Sequence, residues 1–286
     1  FTKVPFASSA LGSEQPLLSS ELLGLGRDPV APVSDAITAD GNVVVPIDLN
    51  HFGLWLKGAF GDPVTTGVGP YTHVFTSGGW TLPSMAIEVG LPEIPHFAMF
   101  EGVRINGVSW TMQRGGLLTA TVDTIAQGED KQTASQAGTL ATMALERFGH
   151  FQGAVKRGGS ALGNVVSASV NYTNNLDRVE VIRADGKIEG LDPGQAALTG
   201  DIVVRFADAT LLDQAIAGTA AAFEFSWSAG AGKSLTVAVP VVYLPRPRIE
   251  VPGPQGIQAT FGWQAAQQAN GDPMVTITLD NSVADY

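Results

Sequence analysis

Two stretches of this 286-residue chain repeat each other in order, so whatever fold the first adopts, the second is expected to adopt beside it. Ser9-Ala10-Leu11-Gly12 returns as Ser160-Ala161-Leu162-Gly163, and at the same offset Leu25, Arg27 and Val30 return as Leu176, Arg178 and Val181. Thr38-Ala39-Asp40 followed by Val43, Val44 and Val45 answers Thr199-Gly200-Asp201 followed by Ile202, Val203 and Val204. Ser84, Met85, Ile87 and Val89 answer Ser234, Leu235, Val237 and Val239, and Leu118, Ala120 and Thr121 answer Ile257, Ala259 and Thr260. The order of these matches predicts two tandem modules, residues 1–150 and 151–286. A chain built of two copies of one module is more naturally a building block than a catalyst.

The pattern is mainly β. Apolar residues alternate with small or polar ones over residues 85–89, 103–112, 117–122, 165–172, 201–206, 223–227, 235–243, 256–261 and 274–279, with a further strand at 71–76. Glycine and proline, 34 and 17 in number, punctuate these runs, and Arg114-Gly115-Gly116 reads as a hairpin turn. Two short helices fall at equivalent places. One covers residues 49–60, with Asp48 or Asn50 as N-cap and Phe52, Leu56 and Phe60 on one face. The other covers 209–217, capped by Asp208, with Leu212 and Ile216 on one face and Gly218 as its stop. The expected fold class is mainly β: two tandem β-sandwich or barrel modules, each with one short flanking α-helix. Residues 61–69, 91–96 and 245–254 read as loops, the last extended by its prolines.

Charge and motifs exclude most chemistry. Net charge is −11, from 16 basic and 27 acidic residues, split −7 and −4 between the halves. Gripping nucleic acid takes clustered Lys and Arg that release counterions, so an acidic chain surrounds nucleic acid more readily than it holds it. Absence of cysteine removes disulfides, thiol nucleophiles and Cys-ligated metals. No apolar run approaches the ~20 residues of a membrane span, and residues 1–10 lack signal-peptide character, so a soluble, unsecreted protein with no membrane partner is expected. Residues 228–234 resemble a phosphate-binding loop at Gly232-Lys233-Ser234. The required first glycine is replaced by Trp227, and the following residues alternate like a strand, so a hairpin turn is the better reading. His51, His73, His96 and His150 have no metal-ligand spacing and no neighbouring nucleophile motif. The Asn171-Tyr172-Thr173 glycosylation sequon is a common chance match. Trp110, Phe223, Phe225, Trp227, Phe261 and Trp263 fall on strand patterns and are expected in the core. No cofactor, metal or catalytic residue is expected.

Through Gly158 to Leu176, Gly200 to Phe206, Ala217-Gly218-Thr219 and the closing run Pro273 to Asn281, the chain resembles the tail tube proteins of long-tailed, siphovirus-like bacteriophages. The first half fits through Leu25 to Pro29, the helix at 50–60 and Gly69 to Phe75. The resemblance implies modules assembled into stacked rings around a lumen, in a virion tail assembled in the host bacterial cytoplasm. Its partners would be further copies of itself, a tape-measure protein, a tail terminator, distal tail proteins, and DNA that passes without specific binding. Duplication favours three chains per pseudo-sixfold ring over six. An acidic wall would repel phosphates over a Debye length of ~8 Å, and alternation offers Glu88, Asp123 and Glu224 as lumen-facing acids. An ordinary solvent-facing or interface carboxylate is the competing reading of each. Competing functions are the inner tube of a contractile or secretion-type machine, a β-sandwich binding or adhesin module of a tail tip, and a hydrolase with dispersed carboxylates.

Overall fold

The computed structural model describes residues 1–22, 26–205, 208–248, 257–269 and 271–286. Leu25, Phe206, Gly256 and the proline-rich stretch from 249 onward, all used in the sequence reading, lie outside those residues. The first half runs β1 (Ser8–Ser9), β2 (Gly12–Glu14), β3 (Leu17–Leu18), β4 (Val33–Ser34), β5 (Thr38–Pro46), α1 (Phe52–Phe60), β6 (Val64–Thr66), β7 (Tyr71–Thr76), β8 (Met85–Leu91), β9 (His96–Gln113), β10 (Thr119–Ala126) and β11 (Gly128–Gln132). The second runs β12 (Gly153–Arg157), β13 (Ser160–Ala161), β14 (Val165–Thr173), β15 (Asp177–Val179), β16 (Gly190–Asp192), β17 (Ala197–Arg205), α2 (Thr210–Ala217), β18 (Ala221–Gly230), β19 (Lys233–Tyr243), β20 (Gln258–Ala265) and β21 (Thr276–Asn281). The fold is mainly β, as the alternation predicts.

The strands form two antiparallel layers. One has the order β5-β10-β9-β14-β17-β20, with β1 and β2 added on the free edge of β5. The other has the order β12-β18-β19-β21-β7-β6. A two-residue pairing of β19 with β20 joins them. Across the gap, Phe223 and Phe225 of β18 meet the Trp263 ring of β20 at centroid distances of 6.1 and 5.8 Å. The six aromatics assigned to the core from sequence are all buried. Residue 151 marks no gap in this packing. β14 of the second half pairs with β9 of the first, β21 pairs with β7, and the buried side chains form one continuous cluster. The N-terminal third of β9 projects past the layer and pairs with β8 and β11 instead.

Local chemistry explains the elements, with three corrections. Helix α1 begins at Phe52, later than expected, because residues 49–51 form a turn around the buried Asp48 carboxylate. That carboxylate accepts the backbone N–H groups of His51 and Phe52 at 3.2 and 3.1 Å and meets His51 Nδ1 at 2.7 Å, satisfying donors that a helix start leaves open. Phe52, Leu56 and Phe60 are buried as predicted. In α2 the buried face is Leu211, Gln214 and Ala215, whereas Ile216 is exposed and Leu212 half-buried. The helix is rotated because Gln214 turns inward to accept from Arg157 Nε at 2.6 Å. Asp208 accepts the Thr210 N–H at 2.9 Å, and Gly218 closes the helix in the left-handed conformation, at φ 63°. The expected loop at 61–69 contains β6. Ala231 and Gly232 form the two-residue turn between β18 and β19, so the phosphate-loop-like stretch is a hairpin.

Candidate functional site

A sheet with one face in the core presents its other face by strict alternation. In the β5-β10-β9-β14-β17-β20 layer, Ala39, Val43 and Val45, Ala120 and Val122, Val108 and Trp110, Val170 and Tyr172, Ile202 and Val204, and Phe261 and Trp263 point inward and are buried. The opposite face carries hydroxyls and amides. Thr111, Gln113, Thr119, Thr121, Ser169 and Asn171 line a shallow groove across β9, β10 and β14. Val44, Ile125 and Val203 are half-buried apolar residues elsewhere on the same face.

Carboxylates are sparse on this face and regularly placed. Asp123 of β10 lies opposite Asn42 of β5 and Gly107 of β9. Partial burial of its carboxyl among these neighbours pushes its pKa above the ordinary carboxylate value, although the residue keeps an exposed surface. Thr121 pairs with Val44, Ala120 with Val45 and Val122 with Val43. In the second half, Thr260 pairs with Val203, Ala259 with Val204 and Phe261 with Ile202. The residues matched by sequence thus occupy one register in both pairs of strands. Continuing that register puts Asp201 of β17 opposite Gly262 of β20, where the first half has Asn42 opposite Asp123. Each half carries one acid at this point, donated by opposite strands of the pair. Sequence reasoning missed Asp201 because it matched that residue to Asp40, two positions away on the same face. The match between residues 84–89 and 234–239 has no such counterpart, since β8 pairs with β9 alone whereas β19 pairs with β18, β20 and β21.

The three acids singled out from sequence do not share a surface. Glu224 lies on β18, in the other layer, on the side away from the core, where its Oε1 is 2.7 Å from Lys156 Nζ. Glu88 lies on β8, in the projecting extension of β9, and accepts from Ser135 Oγ at 2.5 Å and the Gln136 N–H at 2.6 Å. It ties down a loop. Asp123 and Glu224 are therefore on opposite outer faces of the sandwich, and a lumen lined by one is not lined by the other.

Buried polar contacts hold the polar face in place. The Tyr172 hydroxyl donates to Asn174 Oδ1 at 2.8 Å, and Asn174 Nδ2 donates to the carbonyls of Ala59 and Ile105, both at 2.9 Å. This fastens β14 of the second half to α1 and β9 of the first. Burial raises the Tyr172 phenol to about 12. His150 donates from Nε2 to the Leu117 carbonyl at 3.1 Å while Nδ1 accepts the Gln113 N–H at 3.3 Å, bracing the β9–β10 turn. The fully buried His73 lies between Thr65 Oγ1, 2.8 Å from Nδ1, and the Val283 carbonyl, 2.9 Å from Nε2. Among the described residues no cluster of His, Asp or Glu is arranged to hold a metal, and no helix is long and apolar enough to cross a membrane.

The described residues form a mainly β sandwich with a polar outer face, internal register repetition, and His51, His73 and His150 bound into structural contacts. The family model of the phage tail tube protein matches residues 2–265. The chain belongs to that family. A tail tube protein is a structural subunit of a virion tail, from a family that is not one of enzymes, and it works by self-association and contact with other tail components. No curated protein matches the chain.

Proposed function

We propose that this protein builds the tail tube of a siphovirus-like phage, three chains to a ring, each supplying modules 1–150 and 151–286. The hydroxyl- and amide-rich face lines the lumen. Rings stack from this unit in the host cytoplasm, a tape-measure protein sets the length, terminator and distal tail proteins close the ends, and DNA slides through during ejection. Asp123 is the lumen acid and repels phosphate, and the hydroxyls and amides around it are neutral, with Arg205 at the far end of β17 a cation on the same face.

The repeated register carries this reading. At the level of Asn42, the pairing runs through Asp123, Gly107 and Thr173 to Ala197, whereas the residue of β17 that matches Asn42 is Asp201. One repeat thus spans four strands with a four-residue stagger. At ~3.3 Å per residue and ~4.8 Å per strand, that stagger corresponds to a tilt of about 35°, at the lower end of the range for closed barrels. Closure also removes the exposed strand edges.

Mass measurement of isolated rings tests the stoichiometry. Three chains of 29.8 kDa give about 89 kDa per ring. A ring of six chains would overturn the trimer, and monodisperse single chains at high concentration would overturn the tube. For the lumen assignment, Asp123→Lys is expected to slow DNA ejection at unchanged tail length. Unchanged ejection would refute it.

A further inference from the structure

Between its layer strands β14 and β17, the second half carries a hairpin, β15–β16, that lies across the first half. Arg178 forms an ion pair with Asp40 of β5, and Lys187 Nζ is 3.2 Å from Asp130 Oδ1 of β11. The Ile37 N–H donates to the Gly186 carbonyl at 3.0 Å, Gln127 donates to the Glu189 carbonyl, and Arg104 donates to the carbonyl of the buried Leu191. The hairpin clamps the half that precedes it in the sheet.

The first half carries a hairpin at the corresponding place, β3–β4, ahead of β5. Its Arg27 and Val30 match Arg178 and Val181 in the sequence repeat. It has nothing to clamp. Among the described residues, the hydrogen bonds of residues 15–35 close on that segment itself, Arg27 has no ion pair, and Leu17, Leu22 and Val33 are 64%, 71% and 68% exposed. The matching acceptor is also free, because the Asp201 carboxylate has no ion pair among the described residues and is exposed on β17. It lies on the same face as Asp40 does on β5, one side-chain step from the matching level. Within one chain the equivalent contact leads the other way: the β15–β16 hairpin reaches four strands back from β17 to β5, and the same reach back from β5 leads off the free edge of the layer, away from β17.

Resting on the ring reading above, we propose that the β3–β4 hairpin clamps the second half of a neighbouring copy of this chain, with Arg27 paired to that copy's Asp201. The contact between copies then repeats the contact between halves. Bare leucine and valine supply buried area, and the charge pair fixes which neighbour and which register.

Charge exchange tests the pair. In native mass spectrometry at fixed concentration, Arg27→Glu and Asp201→Arg are each expected to weaken ring formation by roughly tenfold, and the double variant to recover it. Both sites are exposed, so folding is preserved. Singles that assemble like wild type, or a double no better than the singles, would overturn the contact while leaving the ring reading standing. A wild type that forms no ring would overturn both. Because the chain has no cysteine, Arg27→Cys and Asp201→Cys can be made in separate chains and joined by a short bismaleimide. The contact requires a cross-linked dimer in the mixture and none in either variant alone. A cross-link formed inside a single chain carrying both cysteines at high dilution would refute it.

Discussion

Replacing Asn174 by alanine is expected to loosen the two halves from each other more than any exposed substitution. The side chain is 4% exposed and makes three hydrogen bonds, to the Tyr172 hydroxyl and to the Ala59 and Ile105 carbonyls. Ala59 lies in the last turn of α1, where a carbonyl lacks a helical partner, so Asn174 supplies the C-terminal satisfaction of that helix. Asn174→Ala leaves a buried hydroxyl and two buried carbonyls without these partners. At about 1 kcal/mol net for each bond, with a further cost for unpaired buried groups, the loss is about 3–5 kcal/mol. For a chain of this size that lowers Tm on the order of 10 °C. Tyr172→Phe, which removes one donor and leaves Asn174 its two carbonyls, is expected to cost about 1 kcal/mol. Urea unfolding of both singles and the double gives the coupling between them. An Asn174→Ala variant within about 0.5 kcal/mol of wild type would refute the idea that this network holds β14 onto α1 and β9.

Two further outcomes follow from the same packing. Because the folded Tyr172 phenol titrates at about 12 against an ordinary 10, the unfolded chain loses its proton first. Stability is thus intact below pH 10 and falls between pH 10 and 12 at about 1.4 kcal/mol per unit. Tyr172→Phe should flatten part of that slope in urea midpoints, leaving the part due to Tyr286, whose phenol burial also raises; an unchanged slope would count against the assignment. Gly53→Ala should destabilise although alanine favours helix by ~1 kcal/mol, because its Cβ would lie 2.2 Å from the Tyr286 ring. In a Tyr286→Ala background the same change should become stabilising in thermal melts, and persistent destabilisation there would refute the steric cause.

Much of the fold was legible because strand alternation and turn residues act locally. Residues 71–76 form β7 as predicted, and the Gly232-Lys233 stretch is a hairpin because alternation resumes at once after the glycine. The face of α2 was misread because Gln214 is polar by type and buried only through Arg157, a partner 57 residues away. Of the three acids, only Asp123 lies on the large polar face, and its counterpart Asp201 needed the register of β17 against β20 to be recognised. Alternation gives each strand two faces without saying which layer covers either.

The sequence alone determined the mainly β class, the aromatic core positions, the absence of cysteine chemistry and the repeated strand pattern, because each depends on residue type and near-neighbour spacing. Only the tertiary structure decided that the halves share a core through β9–β14 and β21–β7, that Asp123 and Glu224 lie on opposite faces, and that the β15–β16 hairpin lies across the first half whereas the β3–β4 hairpin, among the described residues, bonds within its own segment. Those facts depend on pairing between strands far apart in the chain, where both faces of each layer must be satisfied together.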